Sequence, residues 1–188
     1  MATLQELGQN AAAMKPVLQK MSTEEKNRGL CAAADALVAR AEEILMANEK
    51  DMEDARANGM SAGLLDRLKL TTERIGAMAE GLQQISELPD CIGEVMESFE
   101  RPNGMKVTKV RVPMGVIGII YEGRPNVTAD AFGLCFKTGN AVILKGGSAA
   151  IHSNKAIVKV IREALAEIHV PADVLQLIED TDRKVTVE

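Results

Sequence analysis

The stretch AVILKGGSAAIHSN, residues 141–154, decides how the second half of the chain is interpreted. It begins with the short apolar run AVIL, which is typical of a strand covered on both faces. The run ends abruptly at Lys145, and Gly146-Gly147 and a serine follow. The two glycines fit two alternatives: an ordinary turn after a buried strand, or a place where a phosphate group binds.

Two more apolar runs flank this stretch at a spacing that fits alternating strands and helices. GVIGIIY, residues 115–121, precedes it, and VLQLI, residues 174–178, follows it. Residues 128–138 lie between the first two runs, and residues 154–168 lie between the second two with apolar residues at helical spacing. This order predicts an α/β fold: a β-α-β-α-β unit with a parallel, Rossmann-like sheet and right-handed crossovers.

Towards the amino terminus the pattern is helical. Ser22 and Glu25 are spaced as a capping box, and they open an amphipathic helix whose apolar face continues to Leu45. A second amphipathic helix begins near Thr71. These apolar faces are interpreted as core, so the helical part is expected to pack against the sheet.

Between the helices and the parallel sheet, the period of the pattern changes. Residues 94–112 alternate apolar with polar side chains around the turn residues Pro102-Asn103-Gly104. This pattern predicts a β-hairpin with one solvated face. After the last apolar run, residues 179–182 predict the start of another helix, so the parallel sheet is expected to be incomplete.

Composition excludes several classes of protein. The net charge of −5 and the aromatic content of 2% argue against a nucleic-acid binder. No apolar run approaches the roughly 18 residues of a membrane span, and the first residues lack the features of a secretory signal. The three cysteines are odd in number and lack metal-binding spacing, which indicates reduced thiols and no metal site. A cytoplasmic protein that binds neither membrane nor nucleic acid is expected.

In an open parallel sheet, ligands bind beyond the carboxyl ends of the strands, so two loops are candidates for a site. The first, residues 122–126, reads Glu-Gly-Arg-Pro-Asn. Alternatively this loop is only a turn, in which Arg124 pairs with Glu122 and Asn126 caps the next helix. Gly118 and Gly123 have phosphate-loop spacing, but the lysine and hydroxyl of that motif are missing, and so is any G-x-G-x-x-G. A kinase-like phosphate binder therefore lacks its essential groups.

The second loop begins at Lys145. Many NAD-binding folds place an acidic residue at the end of the second strand to hold the ribose hydroxyls. A cation there attracts a 2′-phosphate instead, which favours NADP. Gly146-Gly147 permit close backbone approach, and Ser148 adds a hydroxyl without negative charge. His152, predicted to precede the next helix, is interpreted as a cap or surface residue.

Several strings in these loops are more specific than their glycine pattern. YEGRPNVTADA, residues 121–131, and KGGSAAIHSN, residues 145–154, resemble the γ-glutamyl phosphate reductases, a family of the aldehyde dehydrogenase superfamily. The resemblance extends from the helical amino terminus to LIEDTDR, residues 177–183. It implies NADPH-dependent reduction of γ-glutamyl phosphate to glutamate 5-semialdehyde and phosphate in proline biosynthesis. It also implies a functional link to glutamate kinase.

The resemblance further implies how the chain is organised. Residues 1–93 would be the helical part of a cofactor domain, residues 94–112 a hairpin of the kind used for homo-oligomerisation, and residues 113–188 a truncated NADP-binding segment. The nucleophilic cysteine of the family belongs to a catalytic domain beyond the end of this chain. None of the three cysteines matches it, so the chain alone is expected to be inactive.

Site residues can be carried over by resemblance. Lys145 matches the lysine that contacts the adenosine ribose, and Ser148 stands where NAD-preferring relatives often have glutamate. Asn126 is similar in place to the asparagine that stabilises the oxyanion. Arg124 is expected to contact the acyl phosphate. The cofactor-binding set is completed by Ile120, Tyr121, Gly146 and Gly147.

A second hypothesis comes from a different class of protein. The chain would then be a non-catalytic assembly or interaction fragment of an aldehyde-dehydrogenase-like protein. An incomplete parallel sheet leaves an unpaired edge and uncovered apolar surface, which favours association.

Overall fold

The computed structural model describes residues 3–182. The helices are α1 (Leu4–Ala13), α2 (Lys15–Leu18), α3 (Thr23–Ala39), α4 (Ala41–Ala57), α5 (Ala62–Leu68), α6 (Thr72–Glu87), α7 (Val127–Lys137) and α8 (Ile151–Glu167). The strands are β1 (Val95–Glu100), β2 (Lys106–Val110), β3 (Val116–Ile120), β4 (Ala141–Lys145) and β5 (Leu175–Leu177).

The strands form two separate sheets, which confirms the predicted α/β fold. β1 and β2 pair antiparallel as a hairpin. β3, β4 and β5 pair parallel in that order, with α7 and α8 as the connecting helices. α7 contacts β4, α8 contacts β5, and α1 contacts both strands. The middle strand β4 is therefore mostly buried, and its apolar run is explained by cover from several elements.

The helices of the amino-terminal part pack onto this unit. α3 contacts α6, α7 and α8, and α4 contacts α8. Two glycines permit the closest approaches. A Cβ added at Gly29 of α3 would lie 2.7 Å from the ring of Phe136, and one added at Gly133 of α7 would lie 2.6 Å from Leu82. Both distances are too short for a side chain, so the helices meet where the sequence supplies none.

The start of α3 has the predicted capping box. The hydroxyl of Ser22 accepts from the backbone N–H of Glu25 at 3.2 Å, and the Glu25 carboxylate accepts from the N–H of Ser22 at 2.7 Å. The start of α6 at Thr72, capped by Thr71, is also confirmed. Local signals of this kind are reliable because they satisfy N–H groups within the same few residues.

The single helix predicted to continue to Leu45 is wrong. The chain leaves helical geometry at Arg40, where φ is −112° and ψ is 26°, and α4 starts immediately afterwards. The Arg40 guanidinium binds the carboxylates of Glu43 and Glu163. The apolar face continues across the break because both helices bury it in the same core, so periodicity could not reveal the bend.

Two burial predictions also need correction. β3 is only half covered, and Ile120 is 72% exposed, because this strand ends the sheet and packs mainly against β4. The hairpin was expected to have one solvated face, but every residue of β1 is exposed, including Val95 and Phe99. Its Pro102–Gly104 turn is confirmed, with Gly104 at φ 81°. Both regions therefore leave apolar surface open.

The described chain ends shortly after β5. Residues 178–182 form neither helix nor strand, so the helix predicted to start at residues 179–182 is not found there, and residues 183–188 lie outside the described part. No helix among residues 3–182 is long and apolar enough to cross a membrane.

Candidate functional site

The two predicted loops lie side by side at the carboxyl edge of the parallel sheet. The backbone N–H of Tyr121 donates to the carbonyl of Lys145 at 3.0 Å, and the N–H of Ile178 donates to the carbonyl of Leu144 at 2.8 Å. These bonds continue the pairing of the strands by one residue. The two loops therefore meet at one edge of the sheet, as predicted, and binding of a ligand there stays a prediction.

Lys145 is buried, with 6% of its surface exposed. Its ammonium group donates to the backbone carbonyl of Asp180, in the segment after β5. That segment also borders a cleft of about 1200 Å³ between α1 and α8. An ammonium group has three N–H donors, and the contact with Asp180 uses one of them. Lys145 therefore contacts a residue that borders this cleft, but it is not itself one of the lining residues.

Gly146 is required by the packing of the protein itself, and Gly147 is tightly packed. A Cβ at Gly146 would lie 2.1 Å from Nδ2 of Asn154 and 3.2 Å from the Tyr121 ring. A Cβ at Gly147 would lie 3.3 Å from the backbone of Glu122. The groups that approach these glycines in the structure are the protein's own, from Asn154 of α8 and from Tyr121 and Glu122, and approach of a ligand stays a prediction.

A buried chain of hydrogen bonds connects the two loops. The Tyr121 hydroxyl donates to Oγ1 of Thr128 at 2.6 Å, and Thr128 donates to Oδ1 of Asn154 at 3.0 Å. Burial raises the pKa of Tyr121 to about 12. Nδ2 of Asn154 is buried without a hydrogen-bond partner among the described residues, and it points towards Gly146. No local pattern predicts this arrangement, because Thr128 and Asn154 are 26 residues apart.

The start of α8 differs from the prediction. After a 3₁₀ turn at residues 148–150 the helix begins at Ile151, so His152 and Ser153 lie inside it instead of before it. Asp51 of α4 is the reason. One carboxylate oxygen accepts from the N–H of His152 at 3.0 Å, and the other accepts from the N–H and hydroxyl of Ser153 at 2.7 and 2.6 Å. A buried carboxylate from another helix thus caps α8.

The loop of residues 122–126 is less constrained. Arg124 is exposed and forms no ion pair with Glu122 within the described range, so that part of the turn alternative is wrong. Asn126 stands at the start of α7, but its side chain does not cap the helix. Its amide donates instead to Oδ2 of Asp130 at 3.2 Å. Burial raises the pKa of the Asp130 carboxyl, and the bond from Asn126 opposes that shift.

Arg124, Asn126 and Asp130 open onto a cleft of about 460 Å³. Its opposite wall is formed by the end of α5, the segment between α5 and α6, and the first turns of α6. We call it the mixed-charge cleft, and its charged lining residues are Asp66, Arg67, Lys69, Arg74, Arg124 and Asp130. The sequence analysis missed the contribution of residues 66–74, because nothing in their local pattern separates them from an ordinary solvated helix end.

The cysteines lie away from both loops. Cys135 is buried inside α7, as predicted, and burial raises the pKa of its thiol to about 11. Cys31 lies in α3, where its sulfur contacts the hydroxyl of Ser86, and Cys91 precedes the hairpin. A thiol with a raised pKa is almost entirely protonated at neutral pH and is a poor nucleophile.

The sequence of the chain matches a known family over almost its whole length. The sequence profile described as "Aldehyde dehydrogenase family" matches residues 2–188. The chain belongs to this family.

Within the family, the chain is similar to γ-glutamyl phosphate reductases. It is 58% identical to the one from Heliobacterium modesticaldum over 168 residues, which are 89% of this chain and 40% of that protein. The crystal structure of the Thermotoga maritima enzyme is 43% identical with a TM-score of 0.96, covering 99% of this chain and 45% of that one. The Saccharomyces cerevisiae enzyme is 32% identical with a TM-score of 0.90, covering 98% and 48%. The chain thus spans less than half the length of these relatives.

Proposed function

We propose that the complete protein containing this chain reduces γ-glutamyl phosphate to glutamate 5-semialdehyde and phosphate with NADPH, as a step of proline biosynthesis. The observation that carries the proposal is the 58% identity to a γ-glutamyl phosphate reductase over 168 residues of the chain. On this proposal the protein acts in the cytoplasm and is functionally linked to glutamate kinase, which supplies the acyl phosphate.

The dinucleotide would be held by the loop after β4. Lys145 is buried and donates to the carbonyl of Asp180, which borders the open cleft, and Gly146-Gly147 and Ser148 add no negative charge. A cation in place of the usual acidic residue suits the 2′-phosphate of NADP. Ile120 and Tyr121, at the end of β3, would complete this site. The bound cofactor supplies the hydride for the reduction.

The acyl phosphate would be held from the other loop. The Asn126 amide donates one N–H to Asp130 and has a second N–H for the oxyanion that forms on the substrate carbonyl. Arg124 is exposed and has no side-chain partner in the described region, so its guanidinium is available to the phosphate. These two residues would bind and orient the substrate; they do not attack it.

The nucleophile is proposed to come from the rest of the protein. Cys135 is buried with a raised pKa, and neither Cys31 nor Cys91 lies in the two loops. The 188-residue chain would therefore be unable to turn over substrate on its own. Division of the chain into residues 1–93, 94–112 and 113–188 remains part of the same proposal.

A second role, assembly, is favoured by the hairpin. Both of its faces are exposed, and its exposed apolar side chains include Val95, Met96 and Phe99. We propose that it pairs copies of the complete protein into a homo-oligomer. If the chain acted only as an interaction fragment, it would associate in the same way and would not discriminate between NADPH and NADH.

Turnover tests the proposal directly. The complete protein and the 188-residue chain are each mixed with γ-glutamyl phosphate and NADPH, or with NADH, and the loss of reduced cofactor is followed. The proposal expects phosphate-releasing turnover by the complete protein with NADPH and none by the chain. Turnover by the chain, or none by the complete protein, contradicts it.

A further inference from the structure

We propose that the mixed-charge cleft binds the amino-acid end of the substrate, with Asp130 accepting the α-ammonium group. This inference rests on the proposed function and deepens it. It assigns to Asp130, and to Arg67 and Lys69 of the same cleft, a part in selecting an α-amino acid over other acyl phosphates and aldehydes.

The state of Asp130 is the first argument. One of its oxygens, Oδ2, accepts from the Asn126 amide at 3.2 Å, and the other lies towards α6, 3.8 Å from where a Cβ at Gly81 would stand. The carboxylate is half-buried, yet no cation within residues 3–182 forms an ion pair with it. A half-buried carboxylate is costly without a partner, and its raised pKa reflects that cost.

Asp130 is also unpaired with the cations of its own cleft. Four cationic side chains line the cleft, but none lies within ion-pair distance of Asp130. Arg74 is held on the opposite wall, where it binds Asp66 at 3.0 Å and the carbonyl of Lys69 at 2.7 Å. The protein thus keeps its own cations away from a carboxylate that would stabilise one. A cationic group of a ligand would supply the partner that the Asp130 carboxylate lacks.

The remaining charges match the rest of the substrate. Arg67, Lys69 and Arg124 have no side-chain partner among the residues described. γ-Glutamyl phosphate carries an α-carboxylate and a phosphate in addition to its single ammonium group. An excess of free cations with one free carboxylate is complementary to that distribution of charge. A purely anionic ligand would leave Asp130 unpaired and repelled.

The spacing along α7 also fits. Asp130 follows Asn126 by one helical turn, which places two side chains on one face of a helix about 5–6 Å apart at their Cβ atoms. Four bonds separate the α-nitrogen of the substrate from the carbonyl carbon that reacts, roughly 5 Å when extended. A substrate whose oxyanion meets Asn126 can therefore place its ammonium group at Asp130.

The experiment compares two aldehydes in the reverse reaction of the complete protein. L-Glutamate 5-semialdehyde and 5-oxopentanoate have the same carbon chain and carboxylate, and only the first carries the amino group. With inorganic phosphate and NADP⁺, each aldehyde loses a hydride to the cofactor and gains a bond to phosphate oxygen, giving acyl phosphate, NADPH and one proton. Formation of NADPH is measured for both compounds.

The decisive variant is Asp130→Asn, which keeps an acceptor for Asn126 and removes the charge. We expect kcat/KM for glutamate 5-semialdehyde to fall about 100-fold, while that for 5-oxopentanoate changes less than about threefold. The second aldehyde also reports that the variant is folded. The matched control is Asp66→Asn, an acid of the same cleft that is already paired with Arg74. This variant should change kcat/KM for both aldehydes by the same factor.

Each other outcome counts against the assignment. If Asp130→Asn lowered kcat/KM equally for both aldehydes, the residue would only support Asn126. If it lowered neither, Asp130 would not bind the ammonium group. Wild-type protein that does not distinguish the two aldehydes would also overturn it. Wild-type protein that oxidises neither aldehyde would overturn the proposed function itself, and that result is distinguishable from the others.

Discussion

The two loops at the carboxyl edge of the sheet are built in opposite ways. The loop after β4 is fixed by internal contacts: Gly146 has room for no side chain, and Asp51 determines where α8 begins. The loop after β3 presents Arg124, and the first turn of α7 that follows it presents Asp130, both without charged partners among residues 3–182. Glycines alone therefore do not identify a ligand site, because packing within the protein already explains Gly146. Charges left unpaired beside a cleft are the stronger indication of a ligand.

The largest effect on stability is expected at Gly146. Gly146→Val places atoms where Asn154 and Tyr121 already lie, and overpacking of this kind should lower the free energy of unfolding by about 3 kcal/mol. Gly123→Val is the matched control in the other loop, where a Cβ meets nothing within 4 Å. Urea denaturation of both variants measures the difference. An equal loss of the free energy of unfolding in both variants would contradict the conclusion that the loop after β4 is more tightly packed than the loop after β3.

The cap from Asp51 should give the next largest effect. Asp51→Ala leaves the N–H groups of His152 and Ser153 without their acceptor in a buried position, at a cost of about 2 kcal/mol in the free energy of unfolding. Asp54→Ala, an exposed acid on the same helix, should change it by less than about 0.5 kcal/mol. If Asp51→Ala proved as mild as its control, α8 would not depend on this cap.

Tyr121 reports the packing between the loops through its titration. It is the single tyrosine of the chain, so phenolate absorbance follows it alone. Burial raises its pKa from 10.0 to about 12, hence its contribution to stability is complete below pH 10 and is lost as pH rises towards 12. The folded chain should titrate well above the chain in urea, and Gly146→Val should move the midpoint down. A folded midpoint near 10 would mean that the tyrosine is open to solvent.

The smallest effect on stability is expected at Arg124. Because this side chain has no partner within the described residues, Arg124→Ala should alter the free energy of unfolding by less than about 0.5 kcal/mol. In the complete protein it should nevertheless raise KM for γ-glutamyl phosphate, roughly tenfold. A large loss of stability with no change in KM would reverse the proposed role and make Arg124 a structural residue.

Much of the fold could be predicted because its signals are local. The capping box at Ser22, the turn at Pro102–Gly104 and the three apolar runs each act within a few residues, and all are confirmed. What could not be predicted depends on distant partners. The bend at Arg40 and the half-exposed state of β3 follow from which elements pack together, which periodicity does not encode.

The candidate site divides in the same way. Lys145, Arg124 and Asn126 were found because the carboxyl ends of parallel strands are known places for ligands. Asp51 and Asn154 were missed, since each acts on residues brought close only by folding. Asp130 was missed as well, because an acid in the first turn of a helix is ordinary, and only its lack of a cationic partner distinguishes it.

Cofactor discrimination tests whether the loop after β4 binds NADP, as we propose. The dissociation constants of NADPH and NADH are measured by calorimetry for the complete protein and for Lys145→Gln, with Lys109→Gln of the hairpin as a control for loss of one positive charge. The complete protein should bind NADPH more tightly than NADH. Lys145→Gln should lower this preference roughly tenfold, whereas Lys109→Gln should leave it unchanged. Equal affinities in the wild type, or a preference that survives Lys145→Gln, would contradict it.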